Sequence, residues 1–286
     1  MGPPRWQPII EGEINAMHNK PPVRLIACDI DGTLLQNGAK HISPEIFEEI
    51  HRLEALGILF CPASGRQYHS LRQLFAPAAD KLPYLCENGA ILYGPGNPGP
   101  VLGKTVMDRA LAEELSWEIL AIPGCEVLIS GANTSYLCPK EDDIEGVIRD
   151  FTGNNIQLVP RPEAVPEDII KVSSYCRFGA AEMEPVLAPR WSQHFRTAVA
   201  GDKWLDFTLA DKGSGLEQLC AALDLALEEV MAFGDNFNDV PMLRRAGRPW
   251  LMASAAPELR AQFPSQCQRV EEVLYKISID KLPETE

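Results

Sequence analysis

The hydrophobic positions along the chain follow two different periods, one at each end and another in the middle. From Val23 to Cys28 the residues are almost continuously apolar, the pattern of a strand buried on both faces of a parallel sheet. Next, HISPEIFEEIHRLEALG predicts a helix with Ile46, Ile50, Leu53 and Leu56 on one face, Ser43 as N-cap, Pro44 at the first helical position and Gly57 as terminator. ILFCPA is a second apolar run that stops at Ser64-Gly65-Arg66, and YHSLRQLF has the helical period again. LPYLCENGAILYG predicts a third strand that turns at Asn88-Gly89. Strand and helix in alternation imply an α/β sheet with right-handed crossovers.

The period changes after PGNPGP (95–100), a turn-rich break. VMDRALAEELSWEILAI is helical, and CEVLIS with TSYLCP predicts a hairpin around Gly131-Ala132-Asn133. DDIEGVIRDF and AEMEPVLAPRWSQHF read as helices, DIIKVSSYC as a strand, and FRTAVAG with KWLDFTLAD as two strands around Gly201-Asp202. Hairpins mixed with helices suggest a separate α+β domain with an antiparallel sheet. From Asp211 the first pattern resumes: GSGLEQLCAALDL as helix, EEVMAFGD as strand, DVPMLRRAG as helix and RPWLMA as strand. The expected class is α/β, a Rossmann-like parallel-sheet core interrupted by an α+β insert. The expected boundaries are a loose extension at 1–20, the core at 21–91 and 204–286, and the insert at 92–203.

Composition narrows the partners. With 26 Lys+Arg against 40 Asp+Glu the formal charge is −14, and no basic stripe stands out, so nucleic acid and anionic membrane are excluded on electrostatic grounds. No segment approaches the roughly 18 unbroken apolar residues of a membrane span. The first twenty residues lack the charged-then-apolar order of a signal peptide, and DKLPETE reads as a loose tail. The eight cysteines form no C-x-x-C pair and several sit inside apolar runs, which predicts reduced core thiols in a cytoplasmic protein rather than a zinc or disulfide framework.

Polar residues of one kind collect where the apolar runs end: DIDGT (29–33), ASGR (63–66), ADKGSG (210–215) and GDNFND (234–239). In open α/β sheets the site lies beyond the carboxyl ends of the strands, although any one of these stretches alone could be a solvated loop. Asp29 and Asp31, two apart on an extended chain, project to the same side, and carboxylates so close need a cation or a shared proton. Asp235 and Asp239 add further acidic oxygens. Carboxylates without His or Cys form a hard oxygen site suited to Mg²⁺. Ser64 offers a hydroxyl donor and Lys212 a point charge, which a phosphoryl group requires once a metal has offset the carboxylates.

In this order the four motifs resemble the haloacid dehalogenase superfamily of phosphotransferases. The insert between the second and third motifs, together with ENGA, is similar to its Cof-type branch of small-molecule phosphatases, and the likeness covers roughly 22–280. The resemblance implies Asp29 as nucleophile forming an aspartyl-phosphate and Asp31 as acid, then base. It implies Ser64 and Lys212 gripping the phosphoryl oxygens, with Gly65, Arg66, Asn88 and Asn238 on the phosphate or substrate side. Mg²⁺ would be held by the Asp29 carboxylate, the Asp31 backbone carbonyl and Asp235, with Asp239 and Asn238 orienting metal waters or Lys212.

A phosphosugar mutase of the same superfamily would share every motif. A phosphoacceptor signalling or binding domain would be shorter, would lack the insert and would leave Asp31 without a role. The insert is expected to act as a cap that reads the leaving group, with Arg66, Lys171, Arg177 and Lys203 as candidate contacts to an anionic or hydroxylated small-molecule phosphate ester. Trp117, Trp191 and Trp204 read as core, and the histidines show no ligand spacing.

Overall fold

The computed structural model describes residues 22–281 with the exception of Gly201; the extension expected over 1–20 and the tail beyond residue 281 lie outside the described residues. Strands β1 (Leu25–Cys28), β2 (Leu59–Pro62), β12 (Val230–Gly234), β13 (Arg248–Met252) and β14 (Gln266–Cys267) form one parallel sheet in the order β14-β13-β12-β1-β2. The unbroken apolar run of β1 has its reason here. Ile26 and Cys28 face a cluster with the helices Pro44–Ala55 and Val270–Lys281, while Leu25 and Ala27 face the opposite cluster with the helix Lys212–Ala222. A strand covered on both faces has no polar position to spare.

The helix Pro44–Ala55 buries Ile46, Ile50 and Leu53 as its period predicts. Ser43 occupies the N-cap position, but its hydroxyl donates to Glu271 Oε1 at 2.9 Å and leaves the helix N–H groups uncapped. Capping is fully realised at Lys212–Ala222, where Asp211 accepts from Ser214 N at 2.7 Å and Ser214 Oγ bonds back to the Asp211 backbone.

Two boundaries differ from expectation. β5 (Val101–Lys104), placed in the insert, pairs antiparallel with β4 (Ile91–Tyr93), which pairs with β3 (Tyr84–Cys86); the bridge Ala63↔Leu85 ties this meander to the end of β2. The PGNPGP break is therefore the loop of a hairpin that returns to the core. At the other end, β11 (Trp204–Thr208), expected to reopen the core, is an interior strand of the second sheet between β9 (Lys171–Cys176) and β10 (Arg196–Ala200). Its Leu205 and Phe207 are buried with that sheet's helices, and this burial decides which side the strand joins.

The second sheet runs β10-β11-β9-β6-β7-β8, with β6 (Cys125–Ser130), β7 (Ser135–Cys138) and β8 (Ile156–Leu158). The β6–β7 hairpin forms as predicted, and β8, not anticipated, lies parallel to β7. One face packs on the helices Arg109–Ala121 and Ala180–Trp191; the other carries Leu128, Tyr175 and Trp204 under the helix Ile144–Thr152. Trp191 and Trp204 are buried, whereas Trp117 is 47% exposed and donates its indole N–H to Glu163, so it is no core residue.

The second sheet docks on the loop that follows β2. Buried Gln67 donates to Ser135 Oγ at 3.0 Å and accepts from Asn155 N at 2.7 Å, Tyr93 Oη donates to the Ala132 carbonyl at 2.7 Å, and Met107 N donates to the Ile169 carbonyl at 2.8 Å. The insert thereby sits beside the carboxyl ends of β1 and β2. Among the described residues no helix is long and apolar enough to cross a membrane, and all eight cysteines are free and buried.

Candidate active site

The site begins where β1 leaves its ladder. Asp29 still donates its N–H to the Phe233 carbonyl of β12, but Leu34 and Leu35 both donate to the Ile30 carbonyl, so the chain curls into a turn directly after Asp29. Two-residue alternation holds only on an extended strand. The two carboxylates accordingly meet different partners: Asp29 is buried beside Lys212, while Asp31 is exposed and held by Arg66 through a two-point pair of 2.8 and 2.6 Å. Gly32, at φ +93, makes room for this turn, because a Cβ there would lie 2.2 Å from Asp235 Oδ2.

Lys212 is the centre of the charge arrangement. It opens its helix and is wholly buried, with Nζ 2.5 Å from Asp29 Oδ1 and 2.6 Å from Asp239 Oδ1. Asp239 Oδ2 in turn accepts the backbone N–H groups of Asp235 and Asn236 at 2.9 and 3.1 Å, so both of its oxygens are occupied. Asp235 accepts from Thr33 Oγ1 at 3.2 Å. Thr33 stands in the DIDGT motif without an assigned role, and its buried hydroxyl beside an acid gives it one: it orients Asp235.

Asp29, Asp235 and Asp239 each bring a carboxylate oxygen within 4.8 Å of the others. Three carboxylates against one ammonium leave two negative charges in a largely buried space. Burial, helped by the neighbouring Asp239 and Asp235 carboxylates, pushes the Asp29 carboxyl up to about 8 against the pull of Lys212, and burial with Asp239 raises Asp235 as well. A divalent cation fits this donor set: oxygen ligands only, and a charge that balances the excess. Asp239 already accepts from Lys212 and two N–H groups, so Asp29 and Asp235 have more free lone pairs to offer a cation. The Asp31 side chain stands apart from the acidic group, with Arg66.

This arrangement contributes to the pH dependence of the metal-free protein. A carboxyl whose folded value lies above its unfolded one stabilises the fold below the unfolded value, and that stability is lost as pH rises through the folded value. For Asp29 the window runs from 3.8 to about 8. In excess chelator the denaturation midpoint is therefore expected to fall as pH rises from about 5 to about 8, and added Mg²⁺ to raise it most at the upper end. A midpoint flat or rising over that range in chelator would show that Asp29 is already ionised in the fold.

Ser64 is buried, bonded through its backbone to Leu85 and Asn88, with its Oγ accepting from Arg66 N at 3.2 Å. Gly65 lies so close to Asn88 that a Cβ would approach its amide nitrogen to 3.0 Å. Asn238 is exposed in the turn Phe237–Asp239, with Phe237 60% exposed beside it. Of the other candidate cations, Arg177 is taken up by Asp143 at 3.1 and 2.6 Å, and Lys203 lies 5.7 Å from the Tyr175 ring centroid, both within the second sheet's own domain. Lys171 is buried between Glu87 and Asp206, two acids the sequence reading did not single out. Glu87 stands in ENGA; its one local signal is an acid directly after an apolar strand.

The chain is similar over most of its length to known proteins. A family model described as haloacid dehalogenase-like hydrolase matches residues 26–273. The Escherichia coli 5-amino-6-(5-phospho-D-ribitylamino)uracil phosphatase YbjI is 27% identical, covering 82% of this chain and 86% of its own. The pyridoxal phosphate phosphatase YbhA of the same organism is 25% identical, covering 84% and 91%. A solved structure from Eubacterium rectale superposes with a TM-score of 0.79 at 31% identity, covering 89% of this chain and 98% of that one. The HAD subclass IIB sugar phosphatase BT4131 shares the fold at a TM-score of 0.74 and 21% identity, covering 90% of this chain and 100% of that one.

Proposed function

Since the chain belongs to the haloacid dehalogenase-like hydrolases and is one of their phosphatases, we propose that it hydrolyses a small phosphorylated metabolite with Mg²⁺ through an aspartyl-phosphate on Asp29. The observation that carries this reading is the buried Lys212 clamped between Asp29 and Asp239, with Asp235 alongside and two negative charges left over. When bound, Mg²⁺ would supply the positive charge that lets a phosphate dianion approach this acidic pocket, and Asp29 and Asp235 would be its carboxylate ligands.

The protein's own groups then divide the work. Asp29 attacks phosphorus with one carboxylate oxygen while the other stays against Lys212 and would take the cation, splitting one hard displacement into two easier ones. Ser64 and the Lys212 ammonium draw negative charge onto the equatorial oxygens. Asp31 gives a proton to the leaving alkoxide and takes one from the water that cleaves the acyl phosphate. In the free protein Arg66 holds both Asp31 oxygens, so Asp31 leaves that pair and takes up a proton from water before it serves as the acid. The domain carrying the second sheet covers this rim and reads the leaving group. With eight free, buried thiols, the protein belongs in a reducing, cytoplasmic compartment.

Phosphate release from a generic aryl phosphate is the test. Activity is expected with Mg²⁺, to fall by about a hundredfold or more in excess chelator, and to return on adding the metal back. Full activity in chelator would remove the metal from the reading. Dependence on a bisphosphate activator would convert the assignment to a mutase. A panel of sugar phosphates, pyridoxal phosphate and ribityl phosphates would then rank substrates.

A further inference from the structure

The turn between β3 and β4 holds three successive residues in the left-handed region: Glu87 at φ 50, Asn88 at φ 53 and Gly89 at φ 94. Glycine adopts this freely and asparagine at small cost, so Glu87 is the residue its surroundings must hold. Glu87 is also a carboxylate buried to 1% exposure. The cation that meets it comes from the other domain. Lys171 opens β9 of the second sheet, and its ammonium pairs with Glu87 while lying 3.3 Å from Asp206 Oδ2 on β11. Asp206 is fixed from its other oxygen by Ser173 Oγ at 2.7 Å.

The same turn is stitched to the phosphate loop. Glu87 N donates to the Arg66 carbonyl at 3.1 Å, Asn88 N donates to the Ser64 carbonyl at 2.9 Å, and the Asn88 amide lies against Gly65. Arg66 in turn grips Asp31. A continuous run of contacts therefore leads from the insert to the phosphate-gripping serine and the acid–base carboxylate.

We propose that Lys171 is a positioning residue: by ion-pairing with Glu87, the inserted domain holds the Glu87–Asn88 turn in its left-handed form and thereby fixes Ser64 and Arg66 for turnover. This rests on the phosphatase reading above. It replaces the expectation that Lys171 contacts substrate, because the ammonium is committed to two carboxylates and its side chain is 10% exposed. Without Lys171, Glu87 must take up a proton or turn toward water, and nothing then offsets the cost of its left-handed backbone. The loop they brace would shift, and small displacements of catalytic groups cost about a hundredfold in rate.

The test compares the native chain with Lys171→Met, Lys171→Arg and Glu87→Gln on an aryl phosphate with Mg²⁺, at a temperature where circular dichroism shows each folded. Lys171→Met is expected to lower kcat by about ten- to a hundredfold with KM within about threefold, Glu87→Gln by about fivefold, and Lys171→Arg to restore kcat to within about threefold of native. An unchanged kcat in the folded variants overturns the proposal. So does a rise in KM at constant kcat, which would return Lys171 to substrate contact. If Lys171→Met does not fold, Glu87→Gln, nearly the same shape, decides alone. A native chain that releases no phosphate removes the phosphatase reading and this inference together; an active native chain with unaffected variants removes only this one.

Discussion

Asp29→Asn is expected to give a folded protein whose phosphate release falls by about four orders of magnitude or more. The amide keeps the shape of the side chain and can still accept from Lys212, but it cannot form an acyl phosphate. The stability expectation follows from the same surroundings. Burial and the Asp239 and Asp235 carboxylates push the Asp29 carboxyl up to about 8, so in the metal-free fold its ionised form is the unfavourable one. Removing that ionisation relieves repulsion while giving up the charge on the bond to Lys212. The melting temperature in chelator is expected to stay within a few degrees of native or to rise, the usual relation where a site strained for function is neutralised. Single-turnover phosphate release and a thermal melt check both. Residual activity within tenfold of native would remove Asp29 as the nucleophile. A collapse in melting temperature would show that its charge serves the fold.

Lys212→Met has the largest effect on stability. The substitution leaves Asp29 and Asp239, both buried, without the ammonium that joins them, and an uncompensated buried charge costs about 3–5 kcal/mol. The methionine fills the space of the aliphatic stem, which separates the electrostatic loss from a packing loss. The sign of the pH response separates them further. Without the lysine the carboxyl groups hold protons more tightly in the folded than in the unfolded chain, so the variant regains stability on acidification and loses it as pH rises. Denaturant unfolding of the variant in chelator at about pH 5 and about pH 8 should show a clearly smaller deficit at the lower pH. Equal deficits would mean that the cost is packing; no deficit would mean that Lys212 offsets nothing. Phosphate release is expected to be lost at either pH, since both the orientation of Asp29 and a charge on the phosphoryl group go with the side chain.

The fold was legible where burial acts on a local pattern. The β1 run, the Ile46-Ile50-Leu53 face and the β6–β7 hairpin follow from which neighbours along the chain are apolar. Legibility failed where a strand's identity depends on its partners. WLDFT in β11 and VLGK in β5 are short stretches that either side could accept; β11 joined the side where Leu205 and Phe207 found cover, and β5 the side where Leu102 packs. Ser43 shows the same limit at the scale of one hydroxyl, which found Glu271 across the interface between two helices rather than its own helix end.

The sequence by itself determined the chemical inventory of the site. DIDGT, ASGR and GDNFND place acids and a hydroxyl at the ends of apolar runs that an α/β sheet brings to one rim, and ADKGSG places a lysine at the start of a helix. Only the tertiary structure decided which cation meets which carboxylate: Arg66 with Asp31, Lys212 with Asp29 and Asp239, and Lys171, from the other domain, with Glu87 and Asp206. The physical reason is range. Apolar periodicity is imposed by neighbours within a turn or a strand, whereas a buried ion pair is chosen by whichever charges the docking of distant segments strips of water together.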